Sequence, residues 1–505
     1  MKILASLLIG FLTLTGAAKK EDTPNNNQRL YVSNYENVLG TSLAFKFTSS
    51  SEQEAAKAED AAMAEIDRLS SIFSAYEPNS EFSRWMKKDL NQPVKVSKEL
   101  FEMLALFEQW KTRTGGALDA AAAVAGNLWS DAAKKHQLPS QTSLNVAVSA
   151  MKQAHYTLDP VAQTATRLTN APLVMNTFAK SYIINRAAEA ALSASKISAV
   201  VVNIGGDLVV KGDVTDLVNV TNPKASAEND APIAHLLIRD KAVATSGNYR
   251  RGVQIGKHWY SHIIDPRTAK PVEGIISATV VASDATTAGA LATAFNVLSV
   301  RESQALAAAF PGTEYLIVTS KGTVVESEGW KKLLDPTVNE EKAVEQPVLA
   351  GAEKPWDAKF ELDINLELNA IAGNGHRPFA AIWVEDANKA VVRNLALWYN
   401  KTKWIPDLRN WYRINGESFK ADKNNFASVT GATRSPGKYT IKWDGKNDKG
   451  AYVPQGKYTI IIETAKEHGT DEILRQEMEF KKSAKKVNVT GNVEISNVSF
   501  DFHKK

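Results

Sequence analysis

Residues 199–211 read Ala-Val-Val-Val-Asn-Ile-Gly-Gly-Asp-Leu-Val-Val-Lys, and this stretch decides the fold of the first half of the chain. From Ala199 to Ile204 it is almost wholly apolar and rich in β-branched residues, as a buried strand requires. Gly205-Gly206 interrupts the run, and the strand pattern resumes over residues 208–211. Upstream, a strand-like run from Leu30 is separated by Gly40-Thr41 from a second at residues 42–47, as in a hairpin. Downstream, further strands are predicted at residues 233–238, 252–255, 276–281 and 314–319. Helical stretches lie between them. Residues 51–73 carry Ala55, Ala58, Ala62, Ile66 and Leu69 at helical spacing, and residues 98–112, 141–151, 179–192 and 286–298 read as helices too. The expectation is an α+β domain over residues 29–332.

A chain of 505 residues is too long for one core, and its 44% apolar and 23% charged composition is that of a globular protein. Residues 1–18 hold Lys2, an apolar stretch and small residues at Gly16, Ala17 and Ala18, the pattern of a removable secretory signal. Export to the periplasm of a Gram-negative bacterium is expected. No later run approaches the roughly 20 apolar residues of a membrane span. The absence of cysteine excludes disulfides and thiolate metal sites, and a formal charge of +4 without dense basic runs gives no case for nucleic acid. Residues 333–355 turn polar and proline-bearing, as a linker does. Short strands with glycine, asparagine and proline turns then predict an all-β, sandwich-like domain over residues 356–482, with residues 483–505 left as a basic tail or edge strand.

Four clusters in the first domain carry candidate chemistry. Tyr76 stands in a polar turn (YEPNSEFSR), where its ring suits a flat heterocycle or simply packs. Gly115-Gly116-Ala117-Leu118-Asp119 places a carboxylate after glycines that allow close approach to a ligand, or form a plain turn. In Asn203-Ile204-Gly205-Gly206-Asp207 the glycines offer backbone N–H groups to an anionic or carbonyl-rich ligand, with Asn203 and Asp207 beside them. A plain hairpin explains them equally well. Finally, the run from Thr245, Ser246 and Gly247 is followed by Ser261-His262-Ile263-Ile264-Asp265-Pro266-Arg267-Thr268, which sets a histidine three residues from an aspartate. That spacing suits a general base next to an anion or metal contact; a structural histidine is the commoner case.

In order, LGTSL, YEPNSEFSR, GGALD with NLW, AKSY, NIGGD, TSGNY and SHIIDPRT resemble the FAD:protein FMN transferases, the ApbE family, over roughly residues 30–330. The resemblance implies enzymes that use Mg2+ and FAD and move FMN onto a serine or threonine hydroxyl of an exported acceptor protein, releasing AMP. It implies that Tyr76 stacks on the isoalloxazine and that Asn203, Gly205, Gly206 and Asp207 hold the flavin. By the same resemblance, Thr41, Asp119, Lys180, Ser246, Gly247, His262 and Asp265 would complete the cofactor contacts. His262 and Asp119 would be catalytic, and Ala179 and Thr293 would face the metal.

The sequence also departs from that family. Where its helix reads Ala-Asp-Ala-Leu-Ala-Thr, this chain has Ala288-Gly289-Ala290-Leu291-Ala292-Thr293: the metal-site carboxylate is Gly289. The family's Ala-Lys-Gly-Tyr is Ala179-Lys180-Ser181-Tyr182, and the glycine after its Asp-Pro-Arg-Thr run is Ala269. These changes predict weakened catalysis, or an FAD-binding protein without turnover, with Asp119 a better stand-in for the carboxylate than Asp284. A scaffold or adhesion role for the β domain is a third class. Residues 428–433 resemble the acceptor motif, with Ala427 where an aspartate is usual, so Thr433 is a candidate FMN acceptor within the chain itself.

Overall fold

The computed structural model describes residues 28–249, 251–337, 354–370, 377–421, 426, 428–467, 469, 471–491 and 493–505. The expected secretory signal, most of the linker, Arg250 and Ala427 lie outside the described residues.

Eight strands build the first domain's main sheet, and they lie side by side in chain order. They are β1 (Arg29–Val38), β2 (Thr41–Ser49), β3 (Ala199–Ile204), β4 (Asp207–Gly212), β5 (Ala242–Gly247), β6 (Ile275–Ala282), β7 (Glu314–Thr319) and β8 (Val324–Glu326). Every neighbouring pair is antiparallel. The unbroken apolar run of β3 follows from burial of both faces. Val200, Val202 and Ile204 join the main core under the helices, while Val201 joins a second core with Leu208, Val210, Leu236 and Trp330.

Helices α1 (Glu52–Phe73), α2 (Ala179–Ala194) and α3 (Ala285–Val297) share the main core. Ser51 caps α1, its side chain accepting from Glu54 N–H, a device worth about 1 kcal/mol. Alanines at Ala55, Ala58, Ala62, Ala187, Ala188 and Ala191 are buried, and such short side chains let two helices lie close together.

The second domain is a sandwich of a four-stranded and a five-stranded sheet. Alternation again sorts its residues: Ala380, Ile382 and Val384 enter the core between the sheets, whereas Phe379, Ala381 and Trp383 face a separate core with Trp411 and Phe419. Those last two belong to a helix, Arg409–Ala421, that the all-β reading did not anticipate. Its buried Trp411, Asn415 and Phe419 recur every fourth residue. The tail assignment also needs correction. Lys485–Thr490 is an edge strand, but Ile495–Lys504 runs inside the four-stranded sheet between it and Phe360–Leu368, so the sandwich needs the last residues of the chain.

The domains are clipped together along β1. Asn34 N–H donates to Asn400 C=O at 2.5 Å, and Thr402 Oγ1 donates to Val32 C=O at 3.1 Å. Glu36 pairs with Arg377 at 2.6 Å, and Lys401 with Glu59 at 3.0 Å.

Candidate active site

A cleft of about 830 Å³ opens where the β3–β4 turn, the end of β5, the first turn of α2 and the middle of α3 meet two loops, one around Asp119 and one around His262. That is the size of a pocket for a large cofactor. Of the residues singled out from sequence, Tyr76, Asp119, Lys180, Gly205, Gly206, Asp207, Ser246, Gly247, His262 and Thr293 line it, as does Gly289. Thr41, Asn203, Asp265 and Ala179 do not.

The β3–β4 turn is the plain hairpin, one of the two readings that the sequence left open. Gly205 and Gly206 have φ of 61° and 95°, the left-handed pair that a two-residue hairpin turn needs. Both their N–H groups are occupied, Gly205 donating to Ser42 C=O (2.9 Å) and Gly206 to the Asn203 side chain (3.0 Å). The glycines therefore offer a side-chain-free floor, not free donors. Asn203 shapes the turn, and Thr41 packs beneath it, since a Cβ on Gly205 would lie 2.7 Å from Thr41 Cγ2.

Asp207, 8% exposed, gathers the polar contacts of the floor. Lys180 Nζ lies 2.8 Å from its Oδ2, Ser181 Oγ reaches the same oxygen at 3.4 Å, and Thr245 N–H donates to Oδ1 at 3.3 Å. Asp119 is similarly committed: Lys111 Nζ sits 2.8 Å from Oδ2, and Ala121 N–H donates to Oδ1 at 2.8 Å. Asp265 does not line the cleft and acts as a clamp on its loop. It receives the backbone and guanidinium of Arg267, which also reaches Glu302 at 3.1 Å. Trp129 holds the same loop by donating from Nε1 to Ala269 C=O at 2.8 Å. Ala269 there adopts φ 56°, where a glycine would sit without strain.

At the mouth, Tyr76 is 78% exposed, with its hydroxyl taking a hydrogen bond from Asn176 at 2.9 Å. This leaves a flat aromatic surface at the cleft. His262 Nδ1 lies 3.0 Å from Arg251 C=O. A carbonyl only accepts, so Nδ1 carries the proton and the neutral ring keeps its lone pair on Nε2. Desolvation lowers the pKa of His262 below the usual 6.5, outweighing the effect of that hydrogen bond. Arg251 and Asn176, which also line the cleft, and Lys111 were missed from sequence. Nothing in their spacing marks them, because the chain brings them in from separate loops and helices.

The magnesium implied by the resemblance does not fit these residues. A hard dication wants several oxygens in a tight octahedron, with carboxylates among them. Gly289 supplies none, and among the described residues the cleft-lining carboxylates, Asp119 and Asp207, are already paired with lysines. Asp284 caps α3, accepting from Thr287 N–H, and Thr293 Oγ1 donates to Thr177 C=O at 3.3 Å.

Known structures share this architecture. The apbe protein of Thermotoga maritima superposes with a TM-score of 0.55 at 26% identity, covering 61% of this chain and 100% of that one. The flavin transferase ApbE of Vibrio cholerae gives a TM-score of 0.51 at 22% identity, covering 61% and 100%. The fold is thus of the ApbE flavin-transferase class. The sequence profile of the ApbE family matches residues 39–317, more than half of the chain, and the chain belongs to that family. Proteins named FAD:protein FMN transferase are similar over the same region. The one from Vibrio cholerae is 29% identical over 255 residues, 48% of this chain and 75% of its own length; that from Haemophilus influenzae is 28% identical over 275 residues, 52% and 79%. Residues 361–497 match a separate family described as a predicted periplasmic protein (DUF2271).

Proposed function

We propose that the protein is an FAD:protein FMN transferase that acts on an exported acceptor. The observation that carries this is His262 at a dinucleotide-sized cleft with its Nδ1 committed to Arg251 C=O, which readies Nε2 as a base. Tyr76 would stack on the isoalloxazine, and the bare glycine turn would let the flavin lie against the sheet end. An acceptor serine or threonine hydroxyl attacks the phosphorus on the FMN side of the pyrophosphate. Its proton passes to His262 Nε2, a new P–O ester bond forms, and the bridging P–O bond breaks so that AMP leaves with that oxygen. Arg251 lines the cleft as a cation that would offset the phosphate charge, with Lys180, held by Asp207, beside it. Export is supported by the signal-like residues 1–18 and by the periplasmic description of the second family.

The acceptor is read as a separate protein. Thr433 is only 4% exposed, so its hydroxyl is not presented as a transfer target must be, and that candidate is set aside. A second reading, an FAD-binding protein without turnover, is favoured by one observation: the metal carboxylate is absent at Gly289. Incubation of the purified protein with FAD and acceptor domains from the same organism separates them. Release of AMP with a fluorescent acceptor band supports transfer; tight FAD binding without either product supports the carrier.

A further inference from the structure

The loss of the carboxylate at position 289 is coupled to a second change one helix away. Gly289 lies buried in the interior of α3, facing the start of α2. A Cβ built there would fall 2.1 Å from Ser181 Oγ and 2.8 Å from Ser181 Cβ. The first overlap could be relieved by rotating the serine, but the second could not, because Cβ is fixed by the backbone of α2. Ser181 is itself 1% exposed, so it has no solvent-filled space into which to shift. The family this chain resembles has the opposite arrangement, glycine at the position of Ser181 and aspartate at that of Gly289. The small and the polar residue have changed places across the same contact.

We propose that Ser181 and Gly289 form one reciprocal exchange that closes the divalent-cation position and leaves a cleft that holds FAD without a metal. This rests on the reading that the cleft binds FAD. Ser181 fills the volume a carboxylate at 289 would occupy and turns its hydroxyl to Asp207 Oδ2, the oxygen that Lys180 Nζ meets at 2.8 Å. A fixed ammonium thus already stands at the floor of the cleft. The other oxygen donors nearby are spent on Lys111, on the cap of α3 and on Thr177 C=O. Among the described residues, the one place where three ligating side chains converge is Glu361, Asp363 and His503 in the second domain. Restoring the aspartate alone would drive it into Ser181; metal affinity returns only when both positions revert.

The test compares the full mature chain with Ser181→Gly, Gly289→Asp and the double variant. Mn2+ binding is read by electron paramagnetic resonance with and without FAD, FAD affinity by flavin fluorescence in EDTA or MnCl2, and folding by thermal melting. The natural chain should show no stoichiometric Mn2+ signal, and its FAD affinity should change less than about twofold between EDTA and metal, as linkage requires when no metal is bound. Gly289→Asp alone should melt lower and gain no metal. The double variant should regain the melting temperature, bind Mn2+ and hold FAD about tenfold more tightly with metal than without. Stoichiometric Mn2+ on the natural chain, equal metal gain in Gly289→Asp alone, or no gain in a folded double variant would each overturn the proposal. Should Gly289→Asp fail to fold, the natural chain and the double variant still decide it. If no variant binds FAD, the flavin reading fails, while the melting temperatures and the Mn2+ signal still report on the exchange.

Discussion

The floor of the cleft and the corner beside it were built from neighbouring elements yet have fared differently. At the floor, the Asn203–Asp207 turn is fully knit: Asn203 closes the turn, Thr41 packs under it and Asp207 gathers Lys180, Ser181 and Thr245. At the corner, α3 presents Gly289 and a Thr293 hydroxyl that has turned to Thr177. The difference teaches that a cleft can keep its shape and backbone geometry while losing the few oxygen donors that a metal would need.

The sharpest way to break this comparison is through His262. His262→Ala should lower AMP release by about 10²–10⁴-fold while FAD affinity hardly moves; an equal loss of both would place the histidine in binding. Its pH dependence should follow the lowered pKa. The base is neutral above its folded pKa, so turnover should rise through a value below 6.5 and be flat by neutrality, measured as kcat/KM against pH. Next in size, Asp207→Ala leaves Lys180, Ser181 and Thr245 N–H without their acceptor and should cost about 2 kcal/mol in chemical denaturation. Tyr76→Ala should weaken FAD binding by up to about tenfold through lost stacking, and leave the melting temperature unchanged because the ring is 78% exposed. The smallest effect belongs to Ala269→Gly. Relief of a left-handed alanine gains about 1–2 kcal/mol. The greater freedom of glycine in the unfolded chain offsets about 0.4–1 of it, and loss of the fully buried Ala269 methyl about 0.8 more, so the unfolding free energy is expected to change by less than about 0.5 kcal/mol in chemical denaturation.

Much of this was legible in the sequence where a single periodicity or a local motif governs. The apolar run of β3 and the alanine spacing of α1 speak for themselves, since each element is defined by what it buries. The helix Arg409–Ala421 was hidden because it sits among strands and its apolar stripe is thin: Trp411 and Phe419 share the buried face with Asn415 and Gly416. The strand Ile495–Lys504 was hidden by position, as a basic end of chain with alternating residues looks the same whether it pairs on one side or two. At the cleft, the sequence left free N–H groups and a plain hairpin equally open at Gly205 and Gly206, and the acceptors that decide for the hairpin, Ser42 and Asn203, are set by pairing and turn geometry and not by composition. The coupling of Ser181 to Gly289 lies 108 positions apart in the chain and only the packing of α2 on α3 shows it.

The clip along β1 has a consequence of another kind. β1 is the outermost strand of the main sheet, 10 residues long, and the loop bearing Asn400, Lys401 and Thr402 occupies hydrogen-bonding groups on its outer side. A bare strand of that length is a template on which sheets of separate molecules can join. The sandwich thus covers part of that edge, and a first domain produced without it would be expected to self-associate, read as larger species in size-exclusion chromatography.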